Sequence, residues 1–392
     1  MIPMEFGYTE EQKLMRDLAA KIAQDFSDDY WQQIDEEHRH PQELCDALVA
    51  QGILGMAIPE EYGGGGTGLL DLAIASEALA ENGVGMGGIG LLVGGPVFGG
   101  YLISRHGNKE QKEKYLPGLV NGDMWAGAFT EPDAGSNVTN ISTRAKLEGD
   151  RYVVTGQKMY ISHMEGARHI AIYARTSPLD PAHKTRGLSI LVGDLPDAHV
   201  EARPFKKLGA RFVDTCAVFI DGMTIPRENV VGEEGGVLKA MFDVLNPERI
   251  IVAASAVGTG LLAIRKAVAF ANERAVWGER PISSYQGLQF PLAEAKVMLE
   301  SARLKVYEAA WLYDQGSPRC AMSTTIAKYA ASHGSIFAAD RAIQTMGGAG
   351  YMCEYGVERL WRDLRLNAIA PVTNEMALNT IAQYDLGMPR SY

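Results

Sequence analysis

Polar and apolar positions divide the chain into three stretches. In the first, Leu14, Met15, Leu18, Ile22 and Phe26 recur at helical spacing behind a Thr9–Gln12 capping box. Pro41 can open a second helix that carries Leu44 and Leu48 and stops at Gly52. Gly63 to Gly66 interrupt the pattern, and Leu69 to Ala80 read as a third, apolar helix. Between Gly83 and Gly100, glycines are interleaved with Ile89, Leu91, Leu92, Val93 and Phe98. Each glycine costs a helix up to ~1 kcal/mol relative to alanine, so propensity alone predicts a loop. The apolar content points instead to a buried segment that backbone or ligand approaches closely.

The middle stretch changes period. Arg151 to Ser162, His169 to Thr176, Gly187 to Val192 and Ala217 to Ile220 read as strands, with the spacing of a small antiparallel barrel or sandwich. From about residue 238 the strands vanish. Helical stretches over 238–273, 286–315 and 318–346, with a fourth near 371–385, suit a four-helix bundle. The expected fold is mainly α with a central β domain. It comprises a helical N-terminal domain (1–124), a small antiparallel β-barrel (125–235) and a C-terminal four-helix bundle (236–392).

Composition narrows the function. A chain of 392 residues exceeds one simple core. A formal net charge of -11 disfavours a nucleic-acid or anionic-membrane surface. Cys45, Cys216, Cys320 and Cys353 are widely spaced and form no C-x-x-C, which predicts no disulfide framework, no metal site and a reducing compartment. No uninterrupted apolar run reaches the ~18 residues of a membrane span. The first six residues lack the basic-then-apolar order of a leader. The expectation is a cytoplasmic protein without membrane insertion.

Candidate chemistry centres on Phe129-Thr130-Glu131-Pro132-Asp133-Ala134-Gly135-Ser136-Asn137. Pro132 and Gly135 set the path of this turn, and Thr130, Ser136 and nearby backbone offer short donors. The run resembles the T-E-P-x-A-G-S-D signature of the acyl-CoA dehydrogenase flavoproteins. Four further segments resemble that family in the same order. Residues 58–64 read I-P-E-E-Y-G-G, 156–162 read G-Q-K-M-Y-I-S, 344–351 read Q-T-M-G-G-A-G-Y, and 357–363 read V-E-R-L-W-R-D. The likeness spans essentially the whole chain, and it carries the family's order of helices, barrel and bundle.

The resemblance implies FAD as cofactor and a CoA thioester as substrate. By position, Phe129, Thr130 and Ser162 would contact the flavin ring and ribityl chain. Tyr160 would pack on the ring where the family usually has tryptophan, and Thr373 would lie against the flavin. Ser136 would reach the pyrophosphate and CoA, and Gln344, Gly347 and Gly348 would follow the adenosine half. Arg274 and Gln286 would complete a neighbouring subunit's site in a homotetramer. Their spacing is one residue longer than usual. An electron-transfer flavoprotein is the implied partner, and fatty acid metabolism the implied setting.

One departure alters the chemistry. In most of the family a glutamate follows the R-D pair and takes the substrate α-proton, while its N–H polarises the thioester carbonyl. Pro371 stands at that position and has no N–H. Such chemistry still needs a proton acceptor. Glu248, in Asn246-Pro247-Glu248-Arg249, falls where isovaleryl-CoA and some long-chain dehydrogenases place their base. Arg249, with Asn246, would then sit at the CoA mouth. Glu375 is a second candidate carboxylate, or a helix cap. Trp361 to Arg365, followed by Glu375-Met376, most resembles the subgroup containing crotonobetainyl-CoA reductase, which also lacks glutamate at the usual place. Two activities follow: an acyl-CoA dehydrogenase, or a 2-enoyl-CoA reductase with Glu248 as acid. A flavin-binding scaffold without turnover is a third reading. Gly90 and Gly94 are expected to leave room for a long or bulky acyl group.

Overall fold

The computed structural model describes residues 7–390. The N-terminal hexapeptide read for a leader lies outside them. The N-terminal third is helical: α1 (Glu10–Gln24), α2 (Asp28–Glu37), α3 (Gln42–Ala50), α4 (Leu69–Leu79), α5 (Ile89–Leu92), α6 (Leu102–His106) and α7 (Lys109–Val120). The Thr9–Gln12 capping box forms as expected, but α1 buries Ala19, Ile22 and Ala23 and leaves Leu14 exposed. The helix α2 escapes the pattern because its residues are mostly polar. Ser27 caps it, and only Trp31, Ile34 and Asp35 turn inward.

Most of the glycine-rich segment is helical. After α4 the chain kinks at Gly83 (φ 137°) and Gly85 (φ 59°) and then continues in helical turns through a 3-10 turn at Gly85–Gly88, α5 and a π turn at Val93–Tyr101. Its glycines are contact positions. A Cβ on Gly87 would stand 2.2 Å from the Trp31 ring, and one on Gly94 2.9 Å from His163 Nε2. Close packing of other elements onto this helix requires residues without side chains.

The middle contains β1 (Trp125–Ala128), β2 (Arg144–Glu148), β3 (Arg151–Ser162), β4 (His169–Arg175), β5 (Leu188–Asp194), β6 (Val200–Pro204), β7 (Thr215–Pro226) and β8 (Val230–Val231). The order is β6-β7-β3-β2-β4-β5-β8, with β1 added beside β4. Most ladders are antiparallel, but β1 pairs with β4 in parallel, and β2 meets β4 in parallel at Arg144 and Arg175. No ladder joins β6 to β8 among the described residues, so the sheet is not closed into the expected barrel. A second core lies within it, built on Tyr152, Val154, Ile172, Leu191, Val218 and Ile225.

The C-terminal region is helical: α8 (Val237–Glu273), α9 (Gln286–Asp314), α10 (Cys320–Met346), α11 (Gly348–Tyr351), α12 (Val357–Arg365) and α13 (Asn374–Thr380). Helices α8, α9 and α10 pack on one another, and α4 joins them against α8 and α9 more extensively than α13 does. The fourth member of the bundle is therefore shared with the N-terminal region. Two helical stretches, Leu69–His106 and Ala240–Glu273, are apolar and long enough to cross a membrane, although no single run in the sequence suggested it. In each, 83% of the apolar window is buried within the protein, where it forms the core.

The three regions meet at Asp35. Its carboxylate accepts from Arg362 Nη2 at 2.7 Å and from Arg211 Nη1 at 3.3 Å. Next to it, Asp363 accepts from the Ala210 amide at 2.6 Å. The V-E-R-L-W-R-D run thus ties α12 to α2 and to the loop before β7.

Candidate active site

The T-E-P loop is held from below. Lys158 on β3 is fully buried and donates to Glu131 Oε1 at 2.8 Å, Tyr173 O at 2.6 Å and Phe129 O at 3.2 Å. Glu131 also accepts from the Ser142 amide and hydroxyl, each at 2.7 Å, and from the Thr143 amide at 3.0 Å. These donors and the ammonium hold its carboxyl down at about 2 against the cost of burial. Burial lowers Lys158 to about 8. The middle residue of the T-E-P motif is therefore a fastener, a role the sequence reading missed. Thr130 O accepts from the Met159 amide at 2.8 Å, which sets the loop against β3.

The end of β3 is kinked. The register shifts between Lys158 and Ile161, and Tyr160 and His163 take left-handed backbone conformations, φ 61° and 67°. Such conformations are uncommon for residues with a Cβ and cluster at functional sites. The kink turns Tyr160 outward, 66% exposed, with its ring 5.7 Å from Phe205. Ser162 stays beside Thr215, hydroxyl to hydroxyl at 3.4 Å. His163 is buried against Gly90 and Gly94, and burial lowers its imidazole to about 4, so it is neutral. The room expected at Gly90 and Gly94 for an acyl chain is occupied at least in part by this ring.

Glu248 stands on α8, about three turns beyond Val237 where the helix opens, in a helix that runs through Pro247. Its carboxyl makes no hydrogen bond or ion pair among the described residues. The residue is only half-buried, yet desolvation lifts the carboxyl to about 7, opposed mainly by Arg249. Its charge is felt by the buried Tyr173 phenol, whose ring meets Phe129 edge-on at 4.5 Å. The carboxyl therefore lies within electrostatic reach of the ring that packs against Phe129. Arg249 and Asn246, expected at a CoA mouth, are buried and joined to each other, Nη2 to Oδ1 at 2.5 Å. Arg249 also donates to Thr325 Oγ1 and Leu245 O, both at 3.2 Å. Its donors are used inside the bundle, where they fix the turn that carries Glu248.

The loop with Pro371 leads into α13. Thr373 is the N-cap, its hydroxyl accepting from the Met376 amide at 3.2 Å. Glu375 is exposed in the first turn, as a helix-start carboxylate is expected to be. The remaining sites lie at the surface. Ser136 is exposed on its loop, and Gln344 is exposed in the last turn of α10. Gly347, with φ 61°, ends that helix, and a Cβ on Gly347 or Gly348 would meet nothing within 4 Å. Arg274 ends α8 and Gln286 opens α9; both are exposed, and the Arg274 side chain has no partner among the described residues. A cleft lined by Val268, Asn272, Ser283 and Leu288 lies beside them.

The residues expected at a flavin have the chemistry it needs: an exposed aromatic ring at Tyr160, short hydroxyls at Thr130 and Ser162, exposed glycines at 347 and 348, and an arginine at 274 without a side-chain partner among the described residues. The fold is shared with solved structures. Butyryl-CoA dehydrogenase from Megasphaera elsdenii superposes with a TM-score of 0.90 at 29% identity, over 98% of this chain and 100% of that one. An acyl-CoA dehydrogenase of Mycobacterium tuberculosis is 36% identical over 394 residues, 100% of each chain. The acryloyl-CoA reductase (NADH) of Anaerotignum propionicum is 32% identical over 97% of this chain and 95% of its own. Family models match in order: acyl-CoA dehydrogenase N-terminal domain at 9–123, middle domain at 126–223 and C-terminal domain at 235–384. With all three domains present and a relative matched end to end, the chain belongs to the acyl-CoA dehydrogenase family.

Proposed function

We propose that Glu248 is the proton-transfer group of this FAD-dependent acyl-CoA dehydrogenase. The observation that carries the proposal is a carboxyl without partners among the described residues, lifted to about 7 by burial and within electrostatic reach of Tyr173, which packs against Phe129. A base poised near the working pH removes a substrate proton most effectively. Pro371 provides no carboxylate at the family's usual position.

Thr130, Ser162, Tyr160, Phe129 and Thr373 would hold the isoalloxazine and ribityl chain, with Ser136 and Gln344 to Gly348 along the remainder of FAD. When bound, the flavin supplies the acceptor for the hydride leaving Cβ of the thioester. Glu248 takes the Cα proton. Lys158 and Glu131 keep the Phe129–Thr130 backbone in place as the thioester enters. Arg249, bonded to Asn246 and Thr325, keeps Glu248 on the reacting side of α8. Exposed Trp277, Phe290 and Arg274 support a homo-oligomer in which one subunit's α8–α9 turn completes its neighbour's cofactor site. An electron-transfer flavoprotein would take the electrons onward.

A second reading is 2-enoyl-CoA reduction on the same residues. A carboxyl near 7 is partly protonated at neutral pH, so it can deliver a proton to Cα as well as remove one. Anaerobic stopped-flow with a panel of acyl-CoA thioesters separates the two. Flavin bleaching by a saturated thioester supports dehydrogenation. Re-oxidation of the reduced protein by an enoyl-CoA, with no bleaching by any saturated thioester, supports the reductase. Glu248→Gln abolishes either one; near-normal turnover in that variant removes Glu248 from the mechanism.

A further inference from the structure

Lys328 lies in the middle of α10, at a position outside every motif considered above. It is 2% exposed. Its ammonium donates to Val372 O and, at 3.1 Å, to Asn374 Oδ1. Ser332, one turn along, donates to the same Oδ1 at 2.9 Å. Helix α10 thus grips the turn after Pro371 at two points. Burying an ammonium is costly unless acceptors meet it, and here the acceptors belong to the loop itself. Arg249, beside Glu248, lies close enough to act electrostatically on the same ammonium. Arg249 is bonded to Thr325, three residues before Lys328, so the turn that carries Glu248 and the gripped turn meet the same stretch of α10.

That turn carries an unused donor. Pro371 has no N–H. The next amide, Val372 N–H, makes no hydrogen bond among the described residues, although Val372 is half-buried. We propose that Lys328 is a positioning residue for the reaction: by holding Val372 C=O and Asn374, it presents the Val372 N–H to the thioester carbonyl oxygen, the contact Pro371 cannot make. The inference rests on the reading that a CoA thioester reacts between Glu248 and this loop. As Glu248 removes the Cα proton, negative charge spreads onto that oxygen, and a fixed N–H stabilises it.

The test uses the FAD-loaded protein and cinnamoyl-CoA, whose ultraviolet band moves to longer wavelength when its carbonyl is polarised. The wild type is expected to red-shift the bound chromophore. Lys328→Met is expected to lose most of that shift and to slow flavin reduction about 10- to 100-fold, less than the loss when an oxyanion donor is removed outright. Its KM and FAD content stay near wild type. Lys328→Arg, which can still donate to both acceptors, recovers most of the shift and rate. An unchanged shift and rate in Lys328→Met overturns the proposal. Should that variant fail to retain FAD, Ser332→Ala removes one grip alone, with a smaller loss of both signals expected and no change overturning the proposal. A wild type that reduces its flavin normally but leaves the band unshifted overturns the role of Val372 and leaves Glu248 standing. A wild type that no thioester reduces, and no enoyl-CoA re-oxidises, overturns the underlying reading.

Discussion

Lys158 and Glu131 form an ion pair of 2.8 Å in which the side chains are 0% and 3% exposed. Removing one partner strands a buried charge, a change that costs about 3–5 kcal/mol. Lys158→Met should lose stability on that scale in urea unfolding and should release FAD more readily. Glu131→Gln combined with Lys158→Met should recover part of the loss. The acid arm follows from the depressed Glu131 carboxyl. Its contribution is complete above the ordinary glutamate value of ~4.3 and is lost as pH falls toward about 2. Wild-type stability should decline across that window more steeply than Glu131→Gln.

Glu248 sets the pH dependence of the chemistry. Its carboxyl titrates at about 7, and the base form lies above that value. Flavin reduction by a saturated thioester should rise through about pH 7 and level off. Reduction of an enoyl thioester should run the other way. The same shift opposes folding at high pH: the folded protein keeps this proton up to about 7, whereas the unfolded chain loses it near ~4.3. Glu248→Gln should therefore be more stable than wild type at pH 8 and lose that advantage below pH 4. Rates and thermal unfolding across pH check both.

Gly94 cannot take a side chain without disturbing His163. A Cβ there would lie 2.9 Å from Nε2, closer than packing allows. Gly94→Ala should cost about 1–3 kcal/mol, the usual penalty for overfilling a packed site. Adding His163→Ala should return most of it. If Gly94→Ala instead leaves stability unchanged and shortens the accepted acyl chain, the space is a substrate channel and His163 does not fill it.

Trp277, 81% exposed on the turn between α8 and α9, is a large apolar group facing solvent in the isolated chain. Trp277→Glu should shift the assembly to a smaller species in light scattering and lower the FAD retained per chain, since Arg274 lies three residues away. A monodisperse wild-type monomer with full FAD content would contradict the shared-site arrangement.

Legibility in the sequence followed the physics of each element. Strand β3 and helices α8 to α10 were read to within a few residues because long periodic runs outweigh local propensity. Helix α2 was invisible: two of its inward residues, Trp31 and Ile34, stand three apart among acids and glutamines. Residues 83–100 were misjudged by propensity, since tertiary contacts with Trp31 and His163 decide their conformation. Glu248 could be found by position, but the missing partners that make it reactive could not. Lys328 left no trace at all, because a lysine in a helix reads as solvated until the fold buries it.

The Asp35 junction has a consequence for how the molecule comes apart. One carboxylate serves arginines from two distant parts of the chain, so the sheet region cannot swing free of either helical region while it holds. Heating should produce a single endotherm, with no separate step for the sheet. In Asp35→Ala the trace should split, because each part then melts at its own temperature.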